Sequence, residues 1–327
     1  MRRRELIFAI GCALLRPFAA SGQQPRSRVV GFLGFGSVEA AKFTFAPAQR
    51  QLADMGFVEG RNLIVEYRCA DNQEGRLLDL ANELVQLQVD AIAVYSGQAV
   101  AAAKAATTSI PIIFFTGFDP VASGFVASLS RPSGNVTGIS ALNVEVLAKR
   151  LEMLRELLPG ARSIALLYAP TNLVAGGERV PRELELAANA LSVKLLPAEV
   201  SQPEDFEAAF AKLAGAQADG VLVSADAVMF ANREALVGVA SRYRIPAAYP
   251  TREFAALGGL VSYGTNYAEA SRQVGEYIGR VLNGERPDDL PVRQVTNLHL
   301  VINMQTAKTL GLAIPVPLLA RADEVIE

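Results

Sequence analysis

The chain has 327 residues, 51% apolar, 20% charged and 7% aromatic, which suits two globular domains and excludes a disordered or fibrous chain. A formal charge of −2, with no run of like charge, argues against a nucleic-acid partner and against a charged interaction tail.

The first stretch, MRRRELIFAIGCALLRPFAASGQQP, has a basic head, a short apolar segment from Leu6 to Leu15 and small residues at Ala20 and Gly22. This is the layout of a secretory signal cleaved after Gly22, and Arg2-Arg3-Arg4 also permits twin-arginine export. The apolar segment is too short to span a bilayer, and Cys12 has too little of it in front to serve as an acylated cysteine. Loss of residues 1–22 leaves 27 basic and 32 acidic residues, a net charge of −5. Cys69 is then the sole cysteine, so no intrachain disulfide forms. The expectation is an exported, soluble periplasmic protein.

Apolar strand-like runs at 29–35, 62–68, 90–96, 111–117 and 135–140 alternate with helical patterns at about 46–56, 73–88 and 98–107. Continuous apolar strands separated by helices predict a parallel sheet covered on both faces. The pattern restarts after a helix at 146–159, with strands at 163–169, 194–200, 220–225 and 246–250. QLQVDAIAVYS is echoed by GAQADGVLVSA, and SIPIIFFTG by RIPAAYPTR, which reads as a tandem duplication of doubly wound lobes. A strand at 258–264, a helix over YAEASRQVGEYIGRVLNGE and a strand over VRQVTNLHLVIN cannot make a third lobe. Some of them return to the first lobe, so the chain crosses between lobes more than once.

Enzyme chemistry finds little support. His299, the only histidine, sits in an alternating strand; no metal-ligand spacing, Walker loop or proper Gly-x-Gly-x-x-Gly is present. Paired carboxylates brought together by folding leave a periplasmic enzyme open as an alternative. Ligands of open parallel sheets sit beyond the carboxyl ends of the strands. There the chain carries Phe35-Gly36-Ser37, Tyr95-Ser96-Gly97-Gln98, Thr116-Gly117 followed by Asp119, Tyr168 and Asn172, and Asp226. Small residues, hydroxyls, aromatics and single carboxylates grip a small polar-ended molecule. The small-residue helix after Ser96 offers free N–H groups to a carboxylate, although Ser96 serves equally as a plain helix cap. Asp119 before Pro120 has the same two readings, and Asp226 either balances a ligand amine or caps the helix from about Asn232.

At the level of whole segments, residues 28–327 resemble the substrate-binding proteins of bacterial ABC importers, in the branch similar to tryptophan/tyrosine-binding lipoproteins. The resemblance rests on GFVEGRNLIVEYRCAD, ATTSIPIIF, DPVASGFVASLSRPSGNVTGIS, KRLEMLRELLPG, REFAALGGLVSYG and LVINMQTAKTLGLAIPVPLLARADEVIE. It implies an α/β fold of two Rossmann-like lobes joined by a three-crossing hinge, the type I periplasmic binding protein. Residues 28–140 plus about 264–292 would form the first lobe, and about 141–263 plus 293–327 the second. It further implies capture of an amino acid or an aromatic or organic acid in the interlobe cleft. No cofactor or metal follows from it, and the partners implied are an ABC permease and its ATPase, with the binding protein a monomer. Lacking tryptophan, the chain would stack a ring on Phe35, Tyr95, Phe118, Tyr168 or Tyr263. A sensor serving a membrane receptor would use the same binding module.

Overall fold

The structure is a computed structural model that describes residues 27–117, 119–141, 143–169 and 182–327. The expected export signal, Phe118 and Asn172 lie outside the described residues.

The first half runs β1 (Arg28–Gly34), α1 (Val38–Asp54), β2 (Leu63–Cys69), α2 (Leu77–Gln86), β3 (Ala91–Val94), α3 (Gly97–Ala106), β4 (Ile112–Thr116) and β5 (Val136–Ala141). The second runs α4 (Asn143–Leu157), β6 (Ser163–Tyr168), α5 (Arg182–Ala190), β7 (Lys194–Glu199), α6 (Asp205–Gly215) and β8 (Gly220–Val223). It continues with α7 (Ala227–Ala231), α8 (Arg233–Tyr243), β9 (Ala247–Tyr249), α9 (Arg252–Ala256) and β10 (Val261–Thr265). The chain ends in α10 (Tyr267–Leu282), β11 (Arg293–Val295), β12 (Leu298–Asn303), α11 (Met304–Leu310), α12 (Val316–Leu319) and β13 (Glu324–Ile326).

One sheet has the order β11-β5-β4-β3-β1-β2, the other β13-β12-β10-β9-β8-β6-β7. Neighbouring strands are parallel throughout, except for the antiparallel pair β10–β12. The run β5-β4-β3-β1-β2 repeats as β10-β9-β8-β6-β7, the duplication read from the sequence.

Burial on both faces explains the unbroken apolar runs. Along β4, Ile112 and Phe114 join the core under α2 and α3, while Ile113 and Phe115 join the core under α1 and α10. A parallel strand with helices on each side has no solvent face to mark with polar residues.

Helix α1 starts at Val38, well before the expected position near 46. The stretch Phe43-Thr44-Phe45 followed by Pro47 reads poorly as helix. The Ser37 hydroxyl oxygen nevertheless accepts from the Ala40 amide at 3.2 Å, and packing against α10 carries the helix through the proline. That packing is close: a Cβ on Gly275 would meet the Ala48 carbonyl at 2.4 Å.

The chain passes between the sheets from β5 into α4, from β10 into α10 and from β11 into β12, three crossings in all. The segment expected as one strand, VRQVTNLHLVIN, is thereby divided. Strand β5 runs to Ala141 and β10 to Thr265, past the expected bounds at 140 and 263, and Arg293–Val295 extends the first sheet beside β5, where the expected division gave residue 293 onward to the second lobe. The physical reason is local: both Arg293 terminal nitrogens bond the Glu276 carboxylate on α10 at 2.8 Å, and the Val292 amide donates to Leu129.

Candidate ligand cleft between the lobes

Both sheets turn the carboxyl ends of their parallel strands toward one cavity of about 940 Å³, its mouth included. From the first lobe, β1 delivers Phe35, Gly36 and Ser37, β3 delivers Tyr95, Ser96, Gly97 and Gln98, and β4 delivers Thr116 and Gly117. From the second, β8 leads into Asp226, β9 into Thr251 and β10 ends on Thr265.

The first lobe's wall holds the starts of two helices. Ser37 caps α1, and the Ser96 hydroxyl oxygen accepts from the Ala99 amide at 3.2 Å to cap α3. An α-helix leaves its first N–H groups without intrahelical acceptors, and its dipole makes that end positive. Capping takes one acceptor lone pair of Ser96 and leaves its O–H to donate, so the two readings of this residue are compatible. Small residues Ala99, Val100 and Ala103 bury their side chains and hold α3 close to the sheet.

The opposite wall carries the one formal charge among the described lining residues. Asp226 is 3% exposed; its Oδ2 accepts from the Ala169 amide at 3.1 Å and from the Ser224 hydroxyl. It therefore does not act as a surface cap: its carboxylate bonds strand ends and makes no capping bond to the helix that follows. Nearby, Arg150 of α4 is buried and donates to the Val223 carbonyl at 2.6 Å, and burial brings its guanidinium down to about 9.

Aromatic rings fill the space between. Tyr95 lies 5.2 Å from Phe32, 5.9 Å from Phe115 and 6.1 Å from Tyr267, centroid to centroid. Tyr267 stacks on Phe230 at 4.4 Å, joining a ring of α10 to one of α7. The Tyr95 hydroxyl meets the Ser271 hydroxyl at 2.8 Å, and Ser271 donates to the Thr44 carbonyl, which locks the ring in place. Burial pushes the Tyr95 and Tyr267 phenols above their ordinary range, so both stay neutral.

Three expected residues stand elsewhere. Asp119 lies on an exposed turn, its Oδ1 accepting from the amides of Val121 and Ala122 at 2.8 and 3.1 Å, which is capping geometry. Tyr168 is buried in the second lobe's core, and Tyr263 packs against that same core. Lining residues that the strand-end rule missed come from helices and hinge: Thr44, Phe230, Ala231 and Tyr267. An aromatic one or two residues beyond a strand or cap, as at Tyr267, was the available signal.

Comparison with known proteins sets this geometry among relatives. The chain is 29% identical over 277 residues to a tyrosine-binding protein of Clostridioides difficile, covering 84% of this chain and 78% of the relative. Its fold matches a conserved domain protein from Vibrio cholerae with a TM-score of 0.82 at 26% identity, covering 92% of this chain and all of the other. It also matches a Streptococcus pneumoniae structure in complex with L-Trp, with a TM-score of 0.81 at 22% identity and the same coverage. Residues 37–326 match the family described as ABC transporter substrate binding protein, and the chain belongs to that family.

Proposed function

We propose that the protein is the periplasmic solute-binding component of an ABC importer, holding a small carboxylate-bearing ligand, an amino acid or an aromatic or organic acid, between its lobes. The observation that carries this reading is the charge arrangement of the described cavity lining: two helix starts on one wall, the Asp226 carboxylate on the other, aromatic rings between. A carboxylate suits the amides around Ser96–Gln98 and Ser37, an ammonium group suits Asp226, and an apolar or aromatic body suits the rings. The relatives named for tyrosine binding and solved with L-Trp support the aromatic amino acids as first candidates.

Further parts of this reading concern the whole protein. Residues 1–22 direct export and are removed. The lobes, 28–141 with 266–295 and 143–265 with 296–327, close on the ligand as hinged bodies. The closed monomer hands its ligand to a permease and ATPase and performs no chemistry on it.

Thermal melts and calorimetry with L-tyrosine, L-tryptophan, L-phenylalanine and their des-amino acids test this function. A ligand at 100 times its Kd should stabilise the protein by about 2.7 kcal/mol. Small-angle scattering should then show a smaller radius of gyration. No stabilisation by any of these compounds would overturn the ligand class, and an unchanged scattering profile at saturation would overturn the clamp.

A further inference from the structure

Four consecutive residues of the second lobe each meet the first lobe. The Phe230 ring stacks on Tyr267, and Ala231 sits so close to Gly36 that a Cβ there would be 2.7 Å from the Ala231 Cβ. The Asn232 Nδ2 donates to the Asn72 Oδ1 at 3.4 Å, and the Arg233 guanidinium lies 4.3 Å from the Phe43 ring centroid. Phe230 and Ala231 line the cavity; Asn232 and Arg233 do not.

Arg233 is the informative member. It is 8% exposed and makes no salt bridge among the described residues. One terminal nitrogen donates to the Phe230 carbonyl at 3.1 Å, and the planar cation is otherwise faced by Phe230 and, across the lobe boundary, by Phe43. A buried cation without a carboxylate is costly unless π faces or hydrogen bonds replace its water. Phe43 is 53% exposed and belongs to none of the buried cores, so its contact with Arg233 is what it does in this arrangement. Asn72, for its part, is held by its amide donating to the carbonyl of Phe35, a cavity residue, at 2.8 Å.

We infer that Phe230–Arg233 is a closing latch, in which Arg233 on Phe43 and Asn232 on Asn72 set the fraction of closed protein, and hence ligand affinity and release, without touching the ligand. The inference rests on the interlobe binding reading given above. A contact made only when the lobes are shut adds its whole free energy to the closed state, and apparent affinity rises with the closed population. Parting of the lobes would return Arg233 to water and leave Phe43 without a partner.

Phe43→Ala and Arg233→Gln, alone and together in the exported chain, test this. Phe43 is on the surface, so Phe43→Ala should fold and melt close to wild type. With L-tyrosine or L-tryptophan as probe, each variant should weaken binding by about 3- to 10-fold, mostly through faster release, as expected for one cation–π contact. The double variant should bind no worse than the weaker single one, because both substitutions remove one interaction. Equal affinity in wild type and variants would overturn the latch while leaving the binding function intact. Should wild type bind neither amino acid, the choice of ligand fails, and the latch is judged on the ligand-free protein. One spin label on each lobe should then report a short interlobe distance that both variants deplete; identical distance distributions in all of them would overturn it.

Discussion

The two lobes repeat one strand order yet face the cleft with opposite chemistry. The first brings backbone amides, through helices capped by Ser37 and Ser96 at the ends of β1 and β3. Where Ser96 precedes α3 in the first lobe, Asp226 precedes α7 after β8 in the second, and its carboxylate bonds Ala169 and Ser224 in place of capping a long helix. Among the described lining residues, one wall is thus positive without a cationic side chain, and the other carries a single buried acid. A duplicated scaffold can hold the two ends of a zwitterion once each copy specialises at the same strand end.

The contrast breaks first at Asp226. Asp226→Asn keeps an oxygen for Ser224 and Ala169 but removes the charge, and should weaken binding of L-tyrosine or L-tryptophan by about 2 kcal/mol or more, on the order of 30-fold. Calorimetry with the des-amino acid beside the amino acid sharpens the point, since the variant should lose its preference for the amine. An unchanged preference would put the amine elsewhere.

On the opposite wall, Ser96→Ala removes a charge-assisted donor and should cost about 1.5–3 kcal/mol of affinity. Loss of the cap alone would lower folding stability by ~1 kcal/mol and leave affinity nearly as it was. Measuring binding and urea unfolding on the same preparation separates the two.

The third crossing gives a smaller effect, on stability. The bonds from Arg293 hold the Glu276 carboxyl below its ordinary value near 4.5, against the opposing effect of burial. A depressed carboxyl contributes stability above its unfolded value, and that contribution is lost as pH falls through the folded value. Glu276→Gln should cost about 1 kcal/mol or less at pH 7, because solvent screens this partly exposed pair. The gap to wild type in urea unfolding should close as the pH approaches 3; a gap that persists in acid would show that packing, not the ion pair, holds β11 to the first sheet.

Asp119→Asn should change least. Asn caps as well as Asp, and the turn stands outside the cavity, so affinity should stay within about twofold and stability within a few tenths of a kcal/mol. A large loss of binding would mean that the turn folds over the ligand on closure.

The amino-acid sequence by itself determined the alternation of strand and helix, the duplication and most of the first lobe's wall. Those features are local or periodic: an apolar run between helices has to be a covered parallel strand, and the residues just after it have to reach the cleft. Ser96-Gly97-Gln98 could be placed from their position in the chain alone. Tertiary structure decided the rest. Whether Asp119 or Asp226 turned inward depended on where each strand end stood against its neighbours, because both are acids beside a helix start. Helix α1 could extend to Val38 only because α10 returned from the other half of the sequence to cover it. Arg293 went to the first sheet and Leu298 to the second for the same reason: each followed the partner that buried it, and those partners lie far away along the chain. The rings of Phe230 and Tyr267, 37 positions apart in the chain numbering, meet only because the second crossing brings α10 back beside the cleft. Contacts of that span leave no periodic trace in the sequence, since their energy depends on the packing of two lobes and on no local pattern.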